Sequence, residues 1–141
     1  MAVAAPHLAL NWQQLRVALF NDYLTRGLRD DDELHHYIDE YIGVTIPRIP
    51  VCPNHCSPFE FVSDLFFERV GAALGWGSRT SGKTLDVAIL NHLDAVHKNP
   101  CEITSAASRR DQTFRGFRYF NNTFTDPLTR PLMPYGIAAK S

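Results

Sequence analysis

A chain of 141 residues has room for one domain with a real core and is too short for two comfortable ones. Its composition, 45% hydrophobic and 21% charged, excludes a disordered chain, and its formal net charge of -1 excludes a surface that is everywhere a nucleic-acid clamp, though not a local basic patch. No apolar run reaches the ~18 residues of a membrane span, and the first residues lack the charged, apolar, small-residue order of a secretory signal, so a protein without a membrane partner is expected in the cytoplasm. The three cysteines, Cys52, Cys56 and Cys101, do not resemble a secreted disulfide framework. Cys52, His55 and Cys56 are close enough to suggest metal ligation, but a structural zinc needs a fourth ligand and usually two paired knuckles. The alternative is that they are ordinary loop residues.

Residues 1 to 10 are small and apolar without a period and read as a loose end. From Asn11 a helix is expected: Asn11 can cap it, Gln14 sits at the reciprocal position, and Trp12, Leu15, Leu19, Phe20 and Tyr23 recur at helical spacing up to Gly27. A second helix starts near Asp30, Asp31 and Asp32, whose charge suits a helix N-terminus, with Leu34, Tyr37, Ile38 and Tyr41 on its apolar face and Gly43 as its stop. The aromatic stripe of this pair is either core or a partner-binding surface. Pro47, Pro50 and Pro53 make the next stretch an extended strap. Ser57, Pro58 and Glu60 then form a strong helix start, with Phe59, Val62 and Phe66 on one face of a helix running to about Arg69.

Val70 to Trp76 fits a buried strand leading into Gly77–Thr84, and Leu85, Ala88, Ile89, Leu93 and Val96 predict a helix that Asn99–Pro100 ends. Cys101 to Ala106 is a plausible second strand, so the two strands and their helix predict a right-handed βαβ crossover in a parallel sheet. Ser108 to Asp111 matches a capping box for a further helix with Phe114, Phe117, Phe120 and Phe124 on its buried face. Arg109, Arg110, Arg115 and Arg118, interleaved with these rings, are either a nucleic-acid contact or the solvated side of that helix. From Asp126 the sequence has neither period nor apolar run and reads as an irregular tail. The expected organisation is therefore a helical segment over 1–46, the front of an α/β nucleotide-binding domain over 47–125, and a tail over 126–141.

The stretch with chemistry in it is Gly77, Ser78, Arg79, Thr80, Ser81, Gly82, Lys83 and Thr84, which fits the phosphate-loop pattern G-x-x-x-x-G-K-[ST] at every fixed position. Its two glycines let the backbone curl so that successive N–H groups face phosphate oxygens, where a side chain would obstruct them. Lys83 is placed to reach the β and γ phosphates of ATP, and the Thr84 hydroxyl to take a position on Mg²⁺. A helix following the loop sets the bound phosphates at its positive end.

These residues, with Arg79 early in the loop and Gly-Lys-Thr closing it, resemble the large subunit of a tailed-bacteriophage DNA-packaging terminase, in its N-terminal ATPase part. Cys52-Pro53-Asn54-His55-Cys56-Ser57-Pro58-Phe59 resembles the segment before the loop, and Ile103-Thr104-Ser105-Ala106-Ala107-Ser108 resembles the second strand and turn of that ATPase. The likeness covers about residues 34 to 124. It implies a P-loop ATPase with a parallel sheet, Gly77–Thr84 on Mg-ATP, Lys83 neutralising charge at the γ phosphate and Arg79 contacting it. It also implies double-stranded phage DNA, a portal and a small terminase subunit as partners, a homo-oligomeric ring in the complete protein, and the cytoplasm of the host. Two features depart from the family. No glutamine stands between Pro47 and Gly77 to contact adenine, and no apolar run ending in Asp-Glu follows Cys101. The expectation is the nucleotide-binding front half of a motor domain, binding ATP without hydrolysing it alone. Another P-loop translocase or helicase, and a non-catalytic module with a degenerate loop, are the other readings.

Overall fold

The computed structural model describes residues 11–78 and 81–132. Among these, the chain forms five α-helices: α1, Trp12–Arg26; α2, Asp31–Tyr37; α3, Pro58–Phe66; α4, Lys83–His97; and α5, Arg110–Asn122. A π-helical turn, Ile38–Ile42, continues α2, and a 3₁₀ turn covers Arg130–Leu132.

Capping sets the starts of the first three helices. Asn11 accepts from the Gln13 amide at 2.7 Å while Gln14 accepts from the Asn11 amide at 3.1 Å. Asp30 accepts from the Asp32 and Glu33 amides. Ser57 and Glu60 cap reciprocally at 3.1 and 3.3 Å, with Pro58 at the first helical position. Gly43, at φ +78°, ends the π turn in the left-handed region where glycine is unstrained.

The aromatic stripe is core. Phe20 and Tyr23 of α1, Leu34 and Tyr37 of α2, and Ile38, Tyr41 and Ile42 of the π turn are buried together with Phe59, Val62 and Phe66 of α3. Phe20 lies 5.0 Å from Tyr41 and Tyr41 lies 5.4 Å from Tyr37, ring centre to ring centre. Each such side chain stabilises by about 1.5–3 kcal/mol on leaving water. Trp12 and Leu15 share the helical period but face solvent, so α1 engages the core only through its second half. α4 packs against α3 and α5, burying Ala88, Ile89, His92 and Leu93. Lys83 and Thr84 at its start are exposed while Leu85 and Asp86 are half-buried, so the loop before it lies at the surface.

The expected α/β parallel sheet is not formed: there is no strand among the described residues. Residues 70–78 are irregular and exposed, with Leu74 86% and Trp76 93% accessible, and 101–107 are likewise irregular and exposed. The reason lies in composition and partners. Gly71, Gly75 and Gly77 weaken the first segment as a strand, Glu102, Thr104 and Ser105 make the second polar, and a parallel pair is stable only with both faces covered. The apolar faces of the helices cover one another instead. Other boundaries also shift. α3 ends at Phe66 rather than near Arg69, and α5 starts at Arg110 with no side-chain cap, because Ser108 donates to Gln112 at 3.1 Å instead of capping. Phe124 is buried beyond the end of α5, while Phe114 and Phe117 are half-buried.

Candidate functional site

The loop before α4 is organised by Lys83. Its ammonium donates to the Gly77 carbonyl at 2.7 Å, the Ser78 carbonyl at 2.5 Å and the Ser81 hydroxyl at 3.1 Å. An ammonium has three donors, so the loop acceptors match it one for one and curl the backbone round it. Both glycines of the motif have a physical reason. A side chain at Gly77 would place its Cβ 2.7 Å from the Ser81 hydroxyl and 3.4 Å from the Lys83 ammonium. Gly82 has φ +88° and ψ -6°, the left-handed conformation that turns the chain into α4.

Gly82 supplies no side-chain cap to α4, so the positive end of this 15-residue helix opens at the loop. The Gly82 carbonyl accepts from the Leu85 and Asp86 amides at 2.7 and 3.0 Å, which closes the first helical turn behind the loop. Thr84 stands exposed in that turn. Gly77, Ser78, Ser81 and Lys83 are thus brought together, with Gly82 and Thr84 next to them at the start of α4; Arg79 and Thr80 lie outside the described residues. The loop thus sets a lysine, an uncapped helix N-terminus and the Thr84 hydroxyl beside one another, with the Gly77 and Ser78 carbonyls turned in on the Lys83 ammonium.

Asp86, one turn into α4, is a neighbour that the motif does not name. Its carboxylate comes within 3.9 Å of the position a Gly82 side chain would take, and burial pushes its pKa up to about 6. At the other end of α4, His92 is buried with its Nε2 3.2 Å from the Tyr37 hydroxyl, and His97 packs edge-on to the Tyr37 and Phe66 rings. Both nitrogens of His97 are buried without a hydrogen-bond partner. Burial lowers the two imidazoles, His92 to about 3 and His97 to about 4. Sequence reading missed this pair because histidine at a helical core position breaks the apolar pattern without announcing a role.

Cys52, His55, Cys56 and Cys101 are exposed, and no group of three or more His, Cys, Asp or Glu side chains is arranged to hold a metal among the described residues. No helix among them is long and apolar enough to cross a membrane. Comparison of the chain with protein-family models, with curated proteins and with solved structures finds no match.

Proposed function

We propose that Gly77–Thr84 binds the phosphates of Mg-ATP, and that the chain is the ATP-binding portion of a viral DNA-packaging motor of the terminase large-subunit kind. The observation that carries the ligand chemistry is the Lys83 ammonium held by the Gly77 and Ser78 carbonyls at the start of α4. A triphosphate offers stronger acceptors than those carbonyls, so Lys83 exchanges them for phosphate oxygens at the positive end of α4. Thr84 is placed to hold the Mg²⁺ that accompanies the nucleotide, and the metal supplies neutralisation of the phosphate charge. The class of motor rests on the resemblance over residues 34 to 124, and double-stranded DNA, portal, small subunit and ring assembly belong to that class. Hydrolysis needs an Asp-Glu pair on an apolar strand, which residues 101 to 141 do not supply.

The test is thermal unfolding with and without Mg-ATP. A ligand at 100 times its Kd stabilises by about 2.7 kcal/mol, which in a chain of this size raises Tm by roughly 5–10 °C. That rise is expected for the native chain and absent for Lys83→Ala; equal rises in both proteins overturn the site. A second reading, a non-catalytic interaction module, is favoured by the exposure of Leu74 and Trp76 in the strap before the loop. It predicts no response to Mg-ATP.

A further inference from the structure

Among the described residues, carboxylates hold five of the twelve lysines and arginines. Arg16, Arg26, Arg48, Arg69 and Lys98 each meet a carboxylate within 3.3 Å. α5 differs. Arg109, Arg110, Arg115 and Arg118 are all exposed, and none of them has a carboxylate partner among the described residues. Over residues 109 to 118 the only acid is Asp111, in a protein whose net charge is -1. Four of the remaining cations are therefore gathered on one short helix.

The helix also orders it. Arg110, Phe114 and Arg118 recur at intervals of four and form one ridge, with Arg115 one step round the same side. Arg110 to Arg118 spans about 12 Å at 1.5 Å per residue, close to the axial rise of three to four phosphates of one nucleic-acid strand at ~3.4 Å each. The Arg110 guanidinium lies over the Phe114 ring at 5.3 Å, which limits its freedom and presents its fork outward. Phe114 is covered by that guanidinium and tilted against Phe117 at 6.2 Å, and both rings are half-buried. They are not open for bases to stack on, which favours a duplex backbone over a single strand.

We infer that Arg110, Arg115 and Arg118, with Arg109 at the helix start, form a sequence-independent contact for the phosphate backbone of duplex nucleic acid. The contact is separate from the phosphate loop and stands without nucleotide. Arginines that hold phosphates position a duplex without reading its sequence, and each released counterion makes binding salt-dependent.

The experiment is fluorescence anisotropy of a labelled random-sequence duplex against the full chain, without nucleotide, over a salt series. The expected result is binding at low salt with a log–log salt slope of about -3, from three to four neutralised phosphates. Replacing Arg110, Arg115 and Arg118 together by Ala should weaken binding at least ~10-fold and remove most of the slope, whereas replacing them by Lys should retain most of both. Asp111→Asn, which removes the one acid of residues 109 to 118, should tighten binding. No binding at low salt, or an alanine triple variant that binds as well as the native chain, overturns the inference. So does tighter binding of a single strand of the same sequence, or displacement of the duplex by polyglutamate at equal charge, which would make an acidic protein the partner.

Discussion

At the scale of single residues, the loop is held by one cation and two glycines. Gly82→Ala forces a side chain into φ +88° and should cost about 1–2 kcal/mol in chemical unfolding; a change near zero would mean that the turn relaxes. Gly82 and Lys83 were legible because the phosphate-loop pattern fixes residue types at fixed spacings. His92 and His97 were not, since an apolar period says where a face lies and not which polar groups it encloses. Their consequence is a pH dependence of stability. Burial holds both imidazoles neutral in the fold, His92 lowered to about 3 and His97 to about 4, whereas the unfolded chain takes up protons below 6.5. Stability is therefore full above pH 6.5 and is lost as pH falls toward 4 and then 3. Asp86, raised to about 6 from 3.8, works the other way: its contribution is present below 3.8 and lost as pH rises through 6, one group against two. Around the imidazoles stand the Tyr37 hydroxyl and, on α4 itself, Asp94 paired with Lys98 at 3.2 Å. His97→Phe removes two unpartnered nitrogens between the Tyr37 and Phe66 rings, so it should flatten the acid limb and raise Tm at pH 5 relative to the native chain. An unchanged limb would assign the acid sensitivity elsewhere.

At the scale of elements, helix starts are the best-determined feature, because a cap is a local contract between a side chain and an amide two or three residues on. Asn11 with Gln14, and Ser57 with Glu60, make the bonds their spacing predicts, and Asp30, expected there for its charge, also caps α2. Ser57 is also buried, so Ser57→Ala should destabilise by about 1 kcal/mol, read from the denaturation midpoint. Strands were the failure. A short apolar run such as 70–76 has no period to separate strand from strap, and whether it pairs depends on partners far away in the sequence. Here Phe61 lies 3.6 Å from the Cβ position of Gly75, the segment's one close approach to the helices at a glycine. α5 was legible as a helix but not in its cap, since Ser108 turns toward Gln112.

At the scale of the whole molecule, segments far apart in the sequence are tied by contacts that no local pattern encodes. The Arg16 side chain donates to Glu40 and to Asp126, lies 5.0 Å over the Tyr41 ring, and so joins α1, the π turn and the segment after α5. Thr129, fully buried, donates to the Tyr41 carbonyl at 3.2 Å across 88 residues. The stretch from Asp126 to Leu132 is thereby docked on the core, although its sequence reads as a tail. This bundle holds α4 by its middle and leaves its positive end and the lysine-centred loop at the surface, and the proposed phosphate binding depends on that arrangement. Its most direct test is amide NMR of the full chain titrated with Mg-ATP. The prediction is saturable shifts at Gly77, Ser78, Ser81, Gly82, Lys83 and Thr84, lost in Lys83→Ala. Shifts confined to the arginines of α5, or none at millimolar Mg-ATP, would contradict it.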